Sequence, residues 1–141
     1  MTKEIIKKYG IDFQNKIDSD GIIDKFPGSG GDMHITALLY EWTSVDDLND
    51  SLIADIDEAL ANPNSEIEAG STPVLIVIQQ DIVDFYSTWS DGVFSMPTKD
   101  LREIVIAWRD FLLTSPLNDP MVWTPLNLYY LLVAKLRHIF N

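Results

Sequence analysis

The segment Thr72-Pro-Val-Leu-Ile-Val-Ile78 constrains the fold more than any other stretch of this chain. It is a β-branched run, and a second, Ile82-Val-Asp-Phe-Tyr86, follows after only Gln79-Gln80-Asp81. β-Branched and aromatic side chains suit a pleated surface, and three residues suffice for a hairpin. Ser90-Asp-Gly92 supplies a further reversal, read as a type I′ turn whose two central residues need positive φ. Val93-Phe-Ser-Met96 returns as a third strand. The centre is expected to be an antiparallel meander.

After Pro97 the apolar period changes from two to 3.6. Leu101, Ile104, Val105, Trp108, Phe111 and Leu112 make one broad helical face, with Thr98 as its cap and Ser115-Pro116 as its end. Ile106 and Leu113, seven apart on the second side of that helix, suggest contact with the chain's final helix rather than a partner surface. Upstream, Ser44 reads as an N-cap, with Asp46 and Asp47 at the positive end of a helix dipole. Val45, Leu48, Leu52, Ile56 and Leu60 follow as one stripe, and Asn62-Pro63-Asn64 stops it. A last helix is expected from Thr124-Pro125 through Leu126, Tyr129, Tyr130, Val133 and Leu136, with Lys135, Arg137 and His138 near its negative end. Because Leu128, Leu131 and Leu132 lie off that stripe, this helix is expected to be covered on two sides.

The first forty residues are less legible. Lys3 to Tyr9 reads as a short helix ending at Gly10, Asp18-Ser-Asp-Gly21 as a turn, and Pro27-Gly-Ser-Gly-Gly31 as a flexible connection. Met33-His-Ile-Thr-Ala-Leu-Leu-Tyr40 alternates at Met33, Ile35, Ala37 and Leu39, which favours a strand. Together these elements define an α+β chain, an antiparallel β-meander packed against helices. Its 141 residues make one domain, long enough to bury a core without disulfides or metals.

The chain contains no cysteine, so thiolate zinc sites and Cys nucleophiles are excluded. The opening MTKEIIKKYGIDF does not have the apolar run of a signal peptide, and the longest unbroken apolar stretch, Leu128 to Ala134, falls far short of the ~20 residues of a membrane span. A cytoplasmic location is the expectation.

Charge is strongly segregated. No Lys or Arg occurs between Phe26 and Thr98, while thirteen of the 22 carboxylates do. The other nine acids and all ten basic residues balance to +1, so −13 and +1 give the net −12. Such a field repels nucleic acid and anionic membrane, and it attracts basic surfaces.

Motifs that would carry chemistry fail on their details. If Gly21 is the glycine of a calcium loop, Lys16 takes the first ligand position and Pro27 the last, and neither can ligate. Gly28-Ser-Gly-Gly31 has neither the spacing of a dinucleotide fingerprint nor the Gly-Lys-Ser/Thr of a P-loop. His34 and His138 have no neighbouring ligand at metal spacing, and no G-x-S-x-G elbow occurs. Asp55 and Glu58 could serve a small carboxylate- or metal-dependent hydrolase, but acids on a solvated helix more often stay structural. On a helix Asp46, Asp50 and Asp57 share one side and repel one another, a crowding that a Lys/Arg-rich partner would relieve. Trp89, beside the Asp-Gly turn, suits an interface anchor. Trp108, at core spacing, is core.

The stretch from Thr72 to Leu113 also resembles a known family. Two strands around a short Asp-containing turn lead to Phe94-Ser-Met-Pro-Thr-Lys-Asp-Leu101 and then to a helix with Ala107-Trp-Arg-Asp-Phe-Leu112. This arrangement is similar to immunity proteins of bacterial polymorphic-toxin and contact-dependent growth-inhibition systems. The resemblance implies a bacterial, cytoplasmic inhibitor that occludes a cognate toxin, often a nuclease with a basic groove. The matched motif is structural, so it carries over no binding residue.

The combined expectation is a binding protein with no cofactor, no metal and no catalytic residues. Its contacts with a basic toxin would be Asp46, Asp47, Asp50, Asp57, Glu58, Asp81, Asp84, Trp89 and Asp91. An acidic regulatory or scaffold module without a toxin partner is the alternative.

Overall fold

The computed structural model describes residues 1–30 and 33–115; the helix expected from Thr124 lies outside them. Thr2 opens α1 (Lys3–Tyr9) by accepting the Ile5 amide proton at 3.3 Å. Gly10 closes it, as expected, with φ 62. A Cβ there would lie 2.6 Å from the Gly30 nitrogen, so the position needs glycine for conformation and for space.

The next segment is more ordered than its sequence suggests. β1 (Asp12–Ile17) and β2 (Ile23–Gly28) form a hairpin running from Asp12 opposite Gly28 to Ile17 opposite Ile23. The Asp18 carboxylate closes it, accepting the Asp20 and Ile22 amides at 2.9 Å each, so the reading of Asp18 to Gly21 as a turn holds. Pro27 and Gly28 are strand residues and not part of a flexible connection. A side chain at Gly28 would collide with the Asp12 carbonyl, so close pairing explains this glycine.

The strand expected over Met33 to Tyr40 is instead a helix, α2 (His34–Leu39). Ile35, Leu38 and Leu39 are buried, which is helical spacing, and Ala37 turns away from them. Ser29 and Thr36 anchor its start: the Ser29 hydroxyl accepts the Thr36 amide at 3.2 Å, and the Thr36 hydroxyl donates to the Pro27 carbonyl at 2.7 Å. A helix satisfies its own backbone hydrogen bonds, whereas a strand would need a neighbouring strand to pair with.

Ser44 caps the following helix through the Asp47 amide at 3.2 Å. The helix runs without a break through α3 (Val45–Asp47), a π-helical segment (Leu48–Ile53) and α4 (Ala54–Ala61). Leu48, Leu52 and Ile56 form the expected buried stripe, and the π-turn adds Ile53 to it. A π-turn takes more residues than an α-turn, so positions beyond it rotate about the axis. Asp57 accordingly does not crowd Asp46 and Asp50; it accepts a hydrogen bond from the Arg102 guanidinium at 2.6 Å.

β3 (Ile67–Gly70), β4 (Val74–Ile78), β5 (Ile82–Ser87) and β6 (Val93–Pro97) make a four-stranded antiparallel meander in chain order. The last three strands match the sequence reading, and β3 is an addition to it. Neither Asp91 nor Gly92 has positive φ, so the five-residue β5–β6 loop is not a type I′ turn. The Gly92 amide instead bonds the Ser90 hydroxyl at 3.1 Å, a side-chain turn that removes the need for left-handed backbone. Val74, Ile76, Ile78, Val83, Phe85 and Met96 point inward and are buried, while Leu75, Ile82, Tyr86 and Val93 point outward and are exposed.

α5 (Thr98–Leu112) crosses beneath the sheet and buries Leu101, Ile104, Val105 and Trp108. Each fully buried side chain of this kind contributes about 1.5–3 kcal/mol by its transfer from water. Ile106 packs against the same core half-buried, and Leu113 is exposed. Thr98 is the first helical residue and not the cap. Its amide donates to the Asp81 carbonyl at 3.1 Å and its hydroxyl to the Gln79 carbonyl at 2.7 Å. These bonds pin the helix start to the β4–β5 turn. α5 runs antiparallel to the π-containing helix, with Arg109 reaching Asn49 and Arg102 reaching Asp57. The hairpin joins this layer through Phe13, whose ring meets Trp108 edge-on at 5.2 Å. Trp108 is fully buried, as its spacing requires.

Candidate partner-binding surface

Three segments meet at the end of the sheet where β5 gives way to β6. They are α2, the β3–β4 loop and the β5–β6 loop, and between them lies an apolar cleft of about 500 Å³. Met33, Ala37 and Tyr40 line it from one side of α2, Glu41 follows them, and Pro73 and Trp89 come from the two loops. Met33, Tyr40 and Trp89 are 48%, 60% and 48% exposed, and their grouping around one recess sets them apart from the other exposed apolar side chains.

The chemistry of each segment accounts for the arrangement. Met33 has φ 62, a left-handed conformation costing about 1–2 kcal/mol outside glycine, and it turns the chain into α2 at the cleft mouth. Trp89 rests on His34 with ring centres 5.0 Å apart. His34, itself buried, stacks on Phe94 at 5.1 Å and 15° and meets Phe85 edge-on. The Trp89 indole is therefore supported on its inner side while the residue remains about half exposed.

Hydrogen bonds tie the walls together. Thr88 N–H donates to the Pro73 carbonyl at 3.1 Å, joining the two loops. Ser71 Oγ donates to the Ala37 carbonyl at 2.9 Å, and the Trp42 indole donates to the Gly70 carbonyl at 3.1 Å. The Glu41 carboxylate accepts both the amide and the hydroxyl of Thr72 at 2.7 Å. Four of these five bonds join α2 or its exit to the end of β3 and the β3–β4 loop, so little ordering remains to be done on binding.

The nine residues expected to form one acidic contact are distributed over several surfaces. Asp46, Asp47, Asp50 and Glu58 lie exposed on the π-containing helix, with no bonded cation among the described residues. Asp57 is engaged by Arg102. Asp84 lies on the outer face of the sheet and accepts the Ser95 hydroxyl at 2.6 Å. Asp81 is in the β4–β5 turn, whereas Trp89 and Asp91 follow the other end of β5, about 20 Å away at ~3.3 Å per strand residue. A typical partner covers about 800 Å² per side and would have to wrap round the sheet to touch all nine. Only Trp89 and Asp91 share the cleft loop.

Asp55, considered for catalysis, is half-buried, and its carboxyl is pushed up from the ordinary value first by burial and then by the charge of Glu58. Among the described residues no three His, Asp or Glu side chains converge as a metal ion requires. Nor is any described helix long and apolar enough to cross a membrane. Sequence reasoning missed Met33, Tyr40 and Pro73 as surface residues. Their signal, helical spacing at Met33, Ala37 and Tyr40, was masked by the strand-like alternation of the same segment.

The fold and cleft define an α+β domain with a preformed apolar recess at one end of its sheet. No protein-family model, curated protein or solved structure matches the chain.

Proposed function

We propose that this domain acts by binding a protein, as the immunity protein of a bacterial polymorphic-toxin or contact-dependent growth-inhibition system, and that it neutralises a toxin with a basic surface. The observation that carries the reading is the rigid, exposed Met33–Tyr40–Trp89 cleft, built wholly from the stretch that contains no basic residue. Aromatic side chains in preformed recesses are the usual anchors of protein interfaces. The acids have a different role from the one their sequence positions suggest. Asp46, Asp47, Asp50 and Glu58 act through space, steering a basic partner without each touching it. Asp57 serves the fold through Arg102. The likeness to immunity proteins over Thr72 to Leu113 supports the class, because its motif coincides with the β6–α5 junction that holds the meander on its helix.

Co-expression with the toxin domain encoded beside this chain tests the reading. Survival of the producing cells, together with a complex whose association slows as salt is raised, is the expected result. Toxicity that persists despite folded inhibitor, or the absence of any complex with the neighbouring product, would overturn it.

A further inference from the structure

We infer that the cleft beside Trp89 receives a lysine or arginine side chain from the partner, its aliphatic stem along Met33, Ala37 and Pro73 and its cationic head between the Trp89 ring and the Glu41 carboxylate. The inference rests on the partner-binding reading above and specifies what enters the recess.

The walls suit an amphipathic cation better than the other side-chain classes. They are mostly apolar; the Thr36 hydroxyl among them is already committed to the Pro27 carbonyl, while the Glu41 carboxylate accepts two bonds from Thr72 but meets no cation among the described residues. Filling the recess with leucine or phenylalanine would strip water from that carboxylate without replacing it, a cost of a few kcal/mol. An acidic or phosphorylated ligand would meet Glu41, and the segments that build the cleft carry no Lys or Arg to oppose it. A long basic side chain resolves both problems, burying methylenes while its head keeps charged and aromatic partners. Trp89 leaves about half of its surface open to such a head while His34 packs against the ring at a 42° tilt. A space of about 500 Å³ exceeds one side chain, so flanking backbone from the partner enters with it.

The test uses the capped peptide acetyl-Gly-Arg-Gly-amide and its neutral counterpart with norleucine, titrated into the full chain and followed by ¹H–¹⁵N NMR. For the arginine peptide, saturable shifts confined to Met33, Ala37, Tyr40, Glu41, Pro73-flanking amides and the Trp89 indole are expected. They should weaken with added salt and with Glu41→Gln. Trp89→Ala should weaken binding by roughly two- to fivefold, the worth of one exposed cation–π contact. Retained peak dispersion in each variant separates lost binding from lost folding. Equal response to both peptides, shifts at other surfaces, or no response would overturn the inference. Because this titration uses no toxin, its failure is distinct from failure of the survival assay.

Discussion

The Trp108 indole donates its N–H to the main-chain carbonyl of Trp42 at 2.7 Å, joining the middle of α5 to the exit from α2. Trp42 in turn bonds Gly70, the last residue of β3, so two tryptophans link the core helix to the start of the β3–β4 loop. Two hydrogen bonds thus connect Trp108 to the end of β3, next to the loop that carries Pro73 into the cleft wall.

Replacing Trp108 with phenylalanine is expected to leave the Trp42 carbonyl without its donor and cost about 1–3 kcal/mol. Trp108→Ala adds a cavity and should cost about 3–5 kcal/mol. Urea denaturation measures both, and a loss below 1 kcal/mol for the alanine variant would contradict the placement of this side chain.

At the start of α5, Thr98→Val keeps the shape of the side chain and removes its bond to the Gln79 carbonyl. Thr98 is fully buried, so the carbonyl loses a partner that water does not readily replace. A loss of about 1–2 kcal/mol is expected for valine, and serine should retain most of the stability. Thermal melting of the two variants compares them directly.

Tyr9 donates to the Asp100 carboxylate at 2.7 Å. Burial first, then that bond and the Asp100 charge, hold the phenol protonated far above its ordinary value. The folded value is raised, so the contribution of Tyr9 is complete below about pH 10, where the unfolded chain begins to ionise, and it declines as pH rises towards the folded value. Tyr9→Phe should be less stable than the parent at neutral pH, with the gap narrowing above about pH 10. Denaturation curves from pH 8 to 11 give the result.

Asp55 presents the opposite case. Its carboxyl is raised by burial and by Glu58, so the ionised form weakens the fold at neutral pH, and protonation restores stability as pH falls through the raised value. Asp55→Asn is expected to be more stable than the parent at pH 7 by roughly 0.2–0.5 kcal/mol, the scale of a like-charge pair on one helix. Below the ordinary carboxylate range the difference should vanish. A variant less stable at pH 7 would mean that Asp55 makes a favourable contact.

Legibility in the sequence followed how much each segment's own pattern decided its structure. β4 to β6 and α5 have long apolar stretches of unmistakable period, and each formed where expected. The hairpin did not declare itself, because its buried positions include Asn15 and its pairing depends on Gly28 meeting Asp12. In Met33 to Tyr40 two periods fit the same residues. The helical period prevailed, and the Ser29 hydroxyl holds the helix start by accepting the Thr36 amide.

The candidate site followed the same division. Trp89 could be singled out from its polar neighbours in the chain, but Met33, Tyr40 and Pro73 join it only because α2 and two loops converge in space. The acids were countable, yet their grouping was not: the π-turn sent Asp57 towards Arg102, and the pleat put Asp84 on the outer face.

By itself, the order of residues determined the α+β character of the chain, its central meander, the helix face that carries Trp108, and the confinement of net negative charge to the stretch between Phe26 and Thr98. These follow from local periodicity and from composition, which need no distant contact. Tertiary structure decided which carboxylates stand together, which one is neutralised, and where an aromatic recess opens. Those outcomes depend on distances between segments far apart along the chain, and only packing and hydrogen bonding across the core set them.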